Sequence, residues 1–216
     1  MDTVSAEHFL LDQLPLKHRS HIPTTLKTAY SAVKLLIKQE PILQVVSAGQ
    51  NRGRFISYAV DLGFERLIKT GQWNFEHRWR NFAKPTGQYL EIRLSHSALS
   101  ISQVSNPNKQ PRNVVFRENK RLNNEPFFDL DEFKDEREVR GLPHFLLVYG
   151  HQELKFAHLG APHSTHQRDW IYRTGNLMLM PHEVPQESPP VEKTEFEDAM
   201  TLKEEIEKWQ KDHHGE

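Results

Sequence analysis

Apolar side chains recur at helical spacing in three segments near the start of the chain: residues 8–16, 24–39 and 52–70. A repeat of three to four residues is typical of an amphipathic helix. The first segment is short and reaches Pro15, which predicts that its helix stops there. The second follows Pro23, so we expect a helix that begins at Thr24, with Thr24 or Thr25 as its N-cap.

Two glycines of the third helical segment have different expected roles. Gly71 follows the last apolar position and predicts a C-terminal cap, because glycine adopts the left-handed backbone conformation without steric cost. Gly63 lies inside the helix, where glycine costs about 1 kcal/mol relative to alanine. Its position there indicates close packing against a neighbouring backbone. Before this helix, residues 42–46 fit either a strand or a helical continuation.

Beyond residue 87 the hydrophobic period changes to two, which is typical of β-strands. The strands predicted in this way are residues 89–95, 99–104, 113–117, 144–149 and 154–159. The first two are close enough in sequence to form a hairpin, and the last two form a second hairpin around Gly150. Residues 170–180 are expected to close the fold.

Helices followed by local hairpins predict an α+β fold, in which N-terminal helices pack on a mainly antiparallel sheet. A proline-rich stretch and a charged stretch of helical composition then follow. We therefore expect a single α+β domain in residues 1–181, a Pro-rich linker in residues 182–191 and an acidic tail helix in residues 192–216.

Composition excludes several classes of function. The 216 residues are 37% hydrophobic and include 12 Phe, enough for a core. Cysteine is absent, which excludes disulfides, thiolate metal sites, iron–sulfur clusters and a cysteine nucleophile. No apolar run approaches the roughly 20 residues of a membrane span, and no secretory signal begins the chain. We expect a soluble, cytoplasmic protein with no membrane partner.

Charge is unevenly distributed along the chain. The formal net charge is -1, but residues 51–123 carry 13 basic and 5 acidic side chains, a local +8. Residues 124–191 and 192–216 each sum to -5. Electrostatic fields act over roughly 8–10 Å at physiological salt, so a local excess can attract a polyanion. Alternatively, the acidic segments pack against the basic segment and neutralise it. Binding predicts an uncovered basic face, whereas internal neutralisation predicts a covered one.

Basic and aromatic residues alternate in residues 73–84. Arginine and lysine neutralise phosphates, and aromatic faces stack on unpaired bases. The predicted nucleic-acid contacts are Trp73, Arg78, Trp79, Arg80, Lys84, Arg93, Arg112 and Arg117, with the two tryptophans as stacking groups. The alternative is that the aromatic residues anchor the core and the cations between them are solvated.

Other groups of residues are considered as metal, anion or catalytic sites. Thirteen histidines include His158, His163 and His166 within nine residues, but their spacing matches no metal-binding motif. Residues 51–54, at the start of the third helix, form a weak candidate anion site of backbone N–H groups and two guanidiniums. The chain contains no phosphate-binding loop, dinucleotide fingerprint or serine-hydrolase elbow. We therefore assign no catalytic residue, metal ligand or cofactor.

The leading hypothesis is a nucleic-acid-binding protein that uses the basic and aromatic surface of residues 52–121. A second hypothesis is a metal-dependent nuclease with Glu65, Glu91 and Glu118 around a divalent cation. A third is a protein-binding adaptor or inhibitor that uses the acidic C-terminal helix to engage a protein partner.

Overall fold

The computed structural model describes residues 5–81, 87–112, 117, 120–121, 124, 142–163 and 169–180. The helices are α1 (Ala6–Gln13), α2 (Leu16–Arg19), α3 (His21–Gln39), α4 (Val46–Gly49) and α5 (Arg52–Lys69). The strands are β1 (Glu76–Asn81), β2 (Gln88–Arg93), β3 (Ala98–Val104), β4 (His144–Gly150), β5 (Ala157–Pro162) and β6 (Trp170–Arg173). Two 3-10 turns occupy Pro41–Leu43 and Leu177–Leu179.

The long helices differ from expectation mainly at the start of α3. This helix begins at His21, not at Thr24, and it has no side-chain cap. Pro23 therefore lies within its first turn, where proline is tolerated because those N–H groups have no intrahelical acceptor. Thr25 is helical and donates its hydroxyl to the His21 carbonyl, 2.9 Å away. Both predicted N-cap positions were wrong.

The predicted third helix is confirmed, since α5 covers Arg52–Lys69. Gly71 follows it with a φ of 75°, as expected of a C-terminal cap. At Gly63, a built Cβ atom is only 2.8 Å from the Thr25 methyl carbon, so the glycine lets α5 lie close to α3. Residues 42–46 form no strand: the Pro41–Leu43 turn and the start of α4 occupy that stretch.

One six-stranded sheet has its strands in the order β1-β2-β3-β4-β5-β6. Both predicted hairpins are confirmed, as β2 pairs with β3 and β4 with β5 in antiparallel register. The β3–β4 pair is parallel, so the chain must cross back, between these strands, to the end of the sheet at which β3 begins. The fold is α+β with a mostly antiparallel sheet, as predicted. The predicted linker and tail helix lie outside the described residues.

The sheet has two unlike faces. The helix face packs against the helical layer and carries the main core, formed by Leu10, Leu26, Ile56, Val60, Phe64, Trp73, Leu90, Leu147 and Leu159 among others. The opposite face, here called the crossover face, carries a smaller apolar cluster of Val104, Leu146, Val148 and Phe156, with Trp170 against it. Gly160 permits this packing, because a built Cβ would lie 2.6 Å from the Trp170 ring.

Within the described part of the chain, no helix has the length and apolar character needed to span a bilayer.

Candidate nucleic-acid interface

The register of β1 and β2 brings several basic side chains to the crossover face. Arg78 pairs with Glu91 and Arg80 with Tyr89, and Arg93 lies opposite Glu76. Residues directly opposite in an antiparallel pair point to the same side of the sheet, and alternate residues share a face. Glu91 in turn pairs with Ser100 of β3, whose hydroxyl lies on the crossover face beside the His144 imidazole.

Two of these groups lie on β1, the edge strand. The side chains of Arg78 and Arg80 are 56% and 48% exposed. Arg93 is also exposed. We call Arg78, Arg80 and Arg93 the basic strip. Arg78 lies 3.9 Å from the carboxylate of Glu76. Because Glu76 is itself 71% exposed, this contact neutralises Arg78 only weakly.

Side chains from the β3–β4 connection cover the middle of the crossover face. Arg117 donates from Nη2 to the Ser102 hydroxyl at 2.6 Å and from Nη1 to the Arg112 carbonyl at 2.8 Å. Burial lowers the pKa of Arg117 to about 10, although the nearby Tyr89 opposes this shift. Arg117 therefore holds the connection onto β3, whereas the side chain of Arg112 is exposed.

Glu91 is the central carboxylate of this face. One of its oxygens accepts from Arg80 Nε at 3.3 Å and the other from Lys120 Nζ. Its side chain is 13% exposed. Burial alone raises its pKa, but the hydrogen bonds and charges of Lys120 and Arg80 outweigh burial and lower the pKa of Glu91 below its ordinary value. Part of the basic charge is therefore balanced inside the protein.

The basic groups still outnumber the acidic ones. Among described residues of β1, β2 and the connection, the crossover face carries Arg78, Arg80, Arg93, Arg117, Lys120 and Arg121 against Glu76 and Glu91. Among these described residues, six cations therefore face two carboxylates.

A buried polar pair lies beneath the connection. His144 Nε2 and the Ser100 hydroxyl are 2.9 Å apart, and Asn124 bonds both the N–H and the carbonyl of His144. Burial lowers the pKa of His144 well below its ordinary value, and the charges of Lys120 and Arg117 add to this effect. The imidazole is neutral and bonds Ser100, while the backbone of His144 holds Asn124 against the sheet.

The two predicted stacking tryptophans lie in different environments. Trp73 has no exposed surface, donates from Nε1 to the His18 carbonyl at 3.1 Å and packs against Phe64. A ring without exposed surface has no face to offer to a base, so Trp73 matches the core-anchor alternative. Trp79 is 43% exposed on β1. It pairs with Leu90 and so points to the helix face, at the edge of the sheet.

The predicted contacts thus separate into groups. The structure brings Arg78, Arg80, Arg93 and Arg117 to one face, with Arg112 joined to Arg117 through its carbonyl. Trp79 lies at the same edge on the other side, Trp73 is in the core, and Lys84 lies outside the described residues.

Two of the three carboxylates of the nuclease hypothesis lie on opposite faces of the sheet. Glu65 lies on α5, 3.1 Å from Lys69 and 3.3 Å from His77, which pairs with Ile92 on the helix face. Glu91 lies on the crossover face, and Glu118 is outside the described residues. In the described part of the chain, no three His, Asp or Glu side chains are placed to hold a metal ion.

The described histidines of this part of the chain belong to no cluster of three that could hold a metal ion. His158 is buried on β5 and its Nδ1 lies 3.0 Å from the Thr174 carbonyl. Burial lowers its pKa, although hydrogen bonds to the carbonyls of Thr174 and Gly175 oppose the shift. His163 follows β5, and His166 is not described. His158 is thus a structural residue of the sheet.

Sequence reasoning missed the polar interior of the crossover face. Ser100, Ser102 and His144 are buried there. Ser102 accepts from Arg117 of the β3–β4 connection, the His144 backbone bonds Asn124, and Ser100 bonds the His144 ring. The available signal was the alternate serines of β3 within an otherwise apolar strand, because a buried hydroxyl requires a hydrogen-bond partner.

The chain matches no protein-family model, no curated protein and no solved structure.

Proposed function

We propose that this protein binds nucleic acid at the β1–β2 edge of the crossover face. The observation that supports this most is the convergence of Arg78, Arg80 and Arg93 on one exposed surface, with weak or shared carboxylate partners. Guanidiniums on adjacent strands suit phosphate contacts, and Arg80 stays 48% exposed although it also bonds Glu91.

Two neighbouring groups extend this surface. Arg112 lies on the loop after β3 and is fixed through its carbonyl by Arg117. Trp79 lies around the β1 edge and supplies an exposed ring on which an unpaired base can stack. Phosphate contacts on one side of the edge and a stacking ring on the other favour a single strand that passes around β1.

The test is fluorescence anisotropy with labelled single- and double-stranded DNA and RNA. Charge reversal by Arg78→Glu or Arg93→Glu is expected to weaken binding to all sequences and to reduce the salt slope by about 1 for each contact removed. Lys17→Glu is the matched control, because Lys17 is an exposed cation on α2, beside the buried Trp73.

Equal weakening by Lys17→Glu and Arg78→Glu would attribute binding to overall charge and contradict a site at the β1–β2 edge. Circular dichroism and thermal melting of each variant separate lost binding from lost folding.

A further inference from the structure

A cleft of about 300 Å³ opens where β3 ends and the following loop leaves the sheet. Its polar lining consists of Gln103, Lys109, Gln110, Arg112 and His151. This volume is at the lower end of the range typical of small-ligand sites. Arg78, Arg80 and Arg93 of the basic strip do not line the cleft, whereas Arg112 belongs both to the cleft and to the proposed nucleic-acid surface.

The lining is rich in hydrogen-bond donors and contains no carboxylate. Lys109 and Arg112 provide two fixed positive charges, His151 provides an imidazole, and Gln103 provides an amide group. The amide of Gln110 already donates to the Asp169 carbonyl. The nearby carboxylate of Glu153 is engaged with Lys155 at 2.7 Å. A site that is lined by cations and neutral donors, and by no negatively charged side chain, favours an anionic ligand.

The backbone around the cleft is held in place by specific contacts. The His151 N–H donates to the Val104 carbonyl at 3.0 Å, which ties the β4–β5 turn to the end of β3. The Arg112 carbonyl accepts from Arg117 at 2.8 Å. Two of the cleft's donors therefore project from anchored segments, which reduces the entropy cost of binding.

The first turn of α5 lies against the same residues. A Cβ built at Gly53 would be 2.8 Å from His151 Nε2 and 3.3 Å from Gln103 Oε1, so only glycine leaves both side chains in place. The N-cap residue Asn51 makes no side-chain capping bond. The partial positive charge of this helix terminus adds to that of the side chains. The sequence motif of residues 51–54 thus lies beside a cationic cleft.

We propose that the cleft is a phosphate-binding site in which Lys109, Arg112 and His151 hold a phosphoryl group. The site does not require the proposed nucleic-acid function, since a small phosphorylated molecule supplies the same chemistry. A terminal phosphate of a nucleic acid is the other source, and the two are separated below.

The first experiment titrates the full chain with inorganic phosphate by isothermal titration calorimetry in a low-salt buffer. Saturable binding is expected. Lys109→Glu with Arg112→Glu should weaken it at least about tenfold, the equivalent of one lost charge-assisted hydrogen bond. This variant keeps the Arg117 contact, which uses the Arg112 carbonyl. Lys17→Glu, far from the cleft, should leave the affinity unchanged.

Gly53→Ala is an independent variant that leaves every charge in place. Alanine favours the helix, so folding is preserved, while its methyl group displaces His151. We expect a loss of phosphate affinity smaller than that of the double charge reversal. Absence of saturable phosphate binding by the wild type, or equal binding by the double variant, would overturn the proposal.

Oligonucleotides that carry either a 5′-phosphate or a 5′-hydroxyl show whether the bound phosphoryl group comes from a nucleic acid or from a small molecule. A nucleic-acid source predicts tighter binding of the phosphorylated form, with the difference lost in Lys109→Glu with Arg112→Glu. A small-molecule source predicts equal binding of both oligonucleotides, together with saturable phosphate binding. If Arg78→Glu abolishes oligonucleotide binding while phosphate still binds, the proposed function and the cleft are independent.

Discussion

Replacing Glu91 by Gln tests whether nucleic acid approaches the crossover face. Glu91 is a 13%-exposed carboxylate that bonds Arg80 on one oxygen and Lys120 on the other. Glutamine has nearly the same shape but no negative charge. The substitution therefore weakens two internal contacts and increases the positive charge of the face by one unit.

The structure predicts opposite effects of this change on stability and on binding. Loss of partly buried, charge-assisted hydrogen bonds should lower the free energy of unfolding by about 1–3 kcal/mol. A phosphate about 7 Å away, with water between, should gain about 0.6 kcal/mol from removal of the carboxylate charge, or roughly threefold in affinity. Glu91→Gln should thus be less stable and bind more tightly.

Acid provides a second test of the same contact. Because Lys120 and Arg80 hold the pKa of Glu91 below its ordinary value, the ionised group stabilises the fold above pH 4.5. That stabilisation is lost as the pH falls through the folded-state pKa. The wild type should therefore lose more stability in acid than Glu91→Gln, and the two should converge at low pH.

The assays are urea unfolding as a function of pH and anisotropy with labelled oligonucleotide at neutral pH. Glu65→Gln is the matched control, since Glu65 also bonds two basic groups but lies on the helix face. The control should not tighten binding. If Glu91→Gln is destabilised yet binds no better than the wild type, nucleic acid does not contact this face.

Three further predictions concern single side chains. Trp79→Ala should leave the free energy of unfolding nearly unchanged but weaken single-strand binding by about 1–3 kcal/mol, as measured by oligonucleotide titration. Trp73→Ala removes a buried ring and should lower the free energy of unfolding by about 3–5 kcal/mol, as measured in urea. Burial and the neighbouring Glu65 carboxylate raise the pKa of Asp61 to about 7, so its ionisation opposes folding increasingly above pH 4; Asp61→Asn should stabilise the protein by about 4 kcal/mol at pH 8 and not at pH 4, as measured by urea unfolding. Gly160→Ala should cost about 1–3 kcal/mol in thermal unfolding, since the added methyl meets the ring of Trp170, and an unchanged melting temperature would contradict the packing described.

The helices and hairpins were predictable because their signals are local. The apolar period of α5 and the cap at Gly71 need no distant partner. The start of α3 was misplaced because Pro23 suggests a boundary, although a first helical turn accommodates it.

The edge strand and the parallel pair were not predictable in the same way. In β1, Trp79 is the one apolar residue among six, because the strand is solvated along most of its length, so no apolar period reveals it. The parallel pairing of β3 with β4 joins segments about forty residues apart and depends on contacts such as Asn124 to His144. Neither feature has a local sequence signal.

Only part of the candidate site was predictable from the sequence. Spacing placed Arg78, Arg80 and Arg93 in the same region, and the strand register joined them on one face. Spacing did not distinguish Trp73 from Trp79, because the two rings follow the same basic and aromatic pattern. Burial depends on whether α2 and α5 cover the ring, which only the tertiary structure determines.

The most direct test of nucleic-acid binding at the basic surface is the salt dependence of the wild-type affinity. Four exposed cations, Arg78, Arg80, Arg93 and Arg112, predict a slope of log K against log salt of about −3 for single strands and about −4 for duplex, if each contacts one phosphate. Between 50 and 200 mM salt, a fourfold change, affinity should fall roughly 60-fold for single strands and roughly 250-fold for duplex. A slope near zero, or no binding to any of the four nucleic acids at the lower salt, would contradict a phosphate-binding role for this surface.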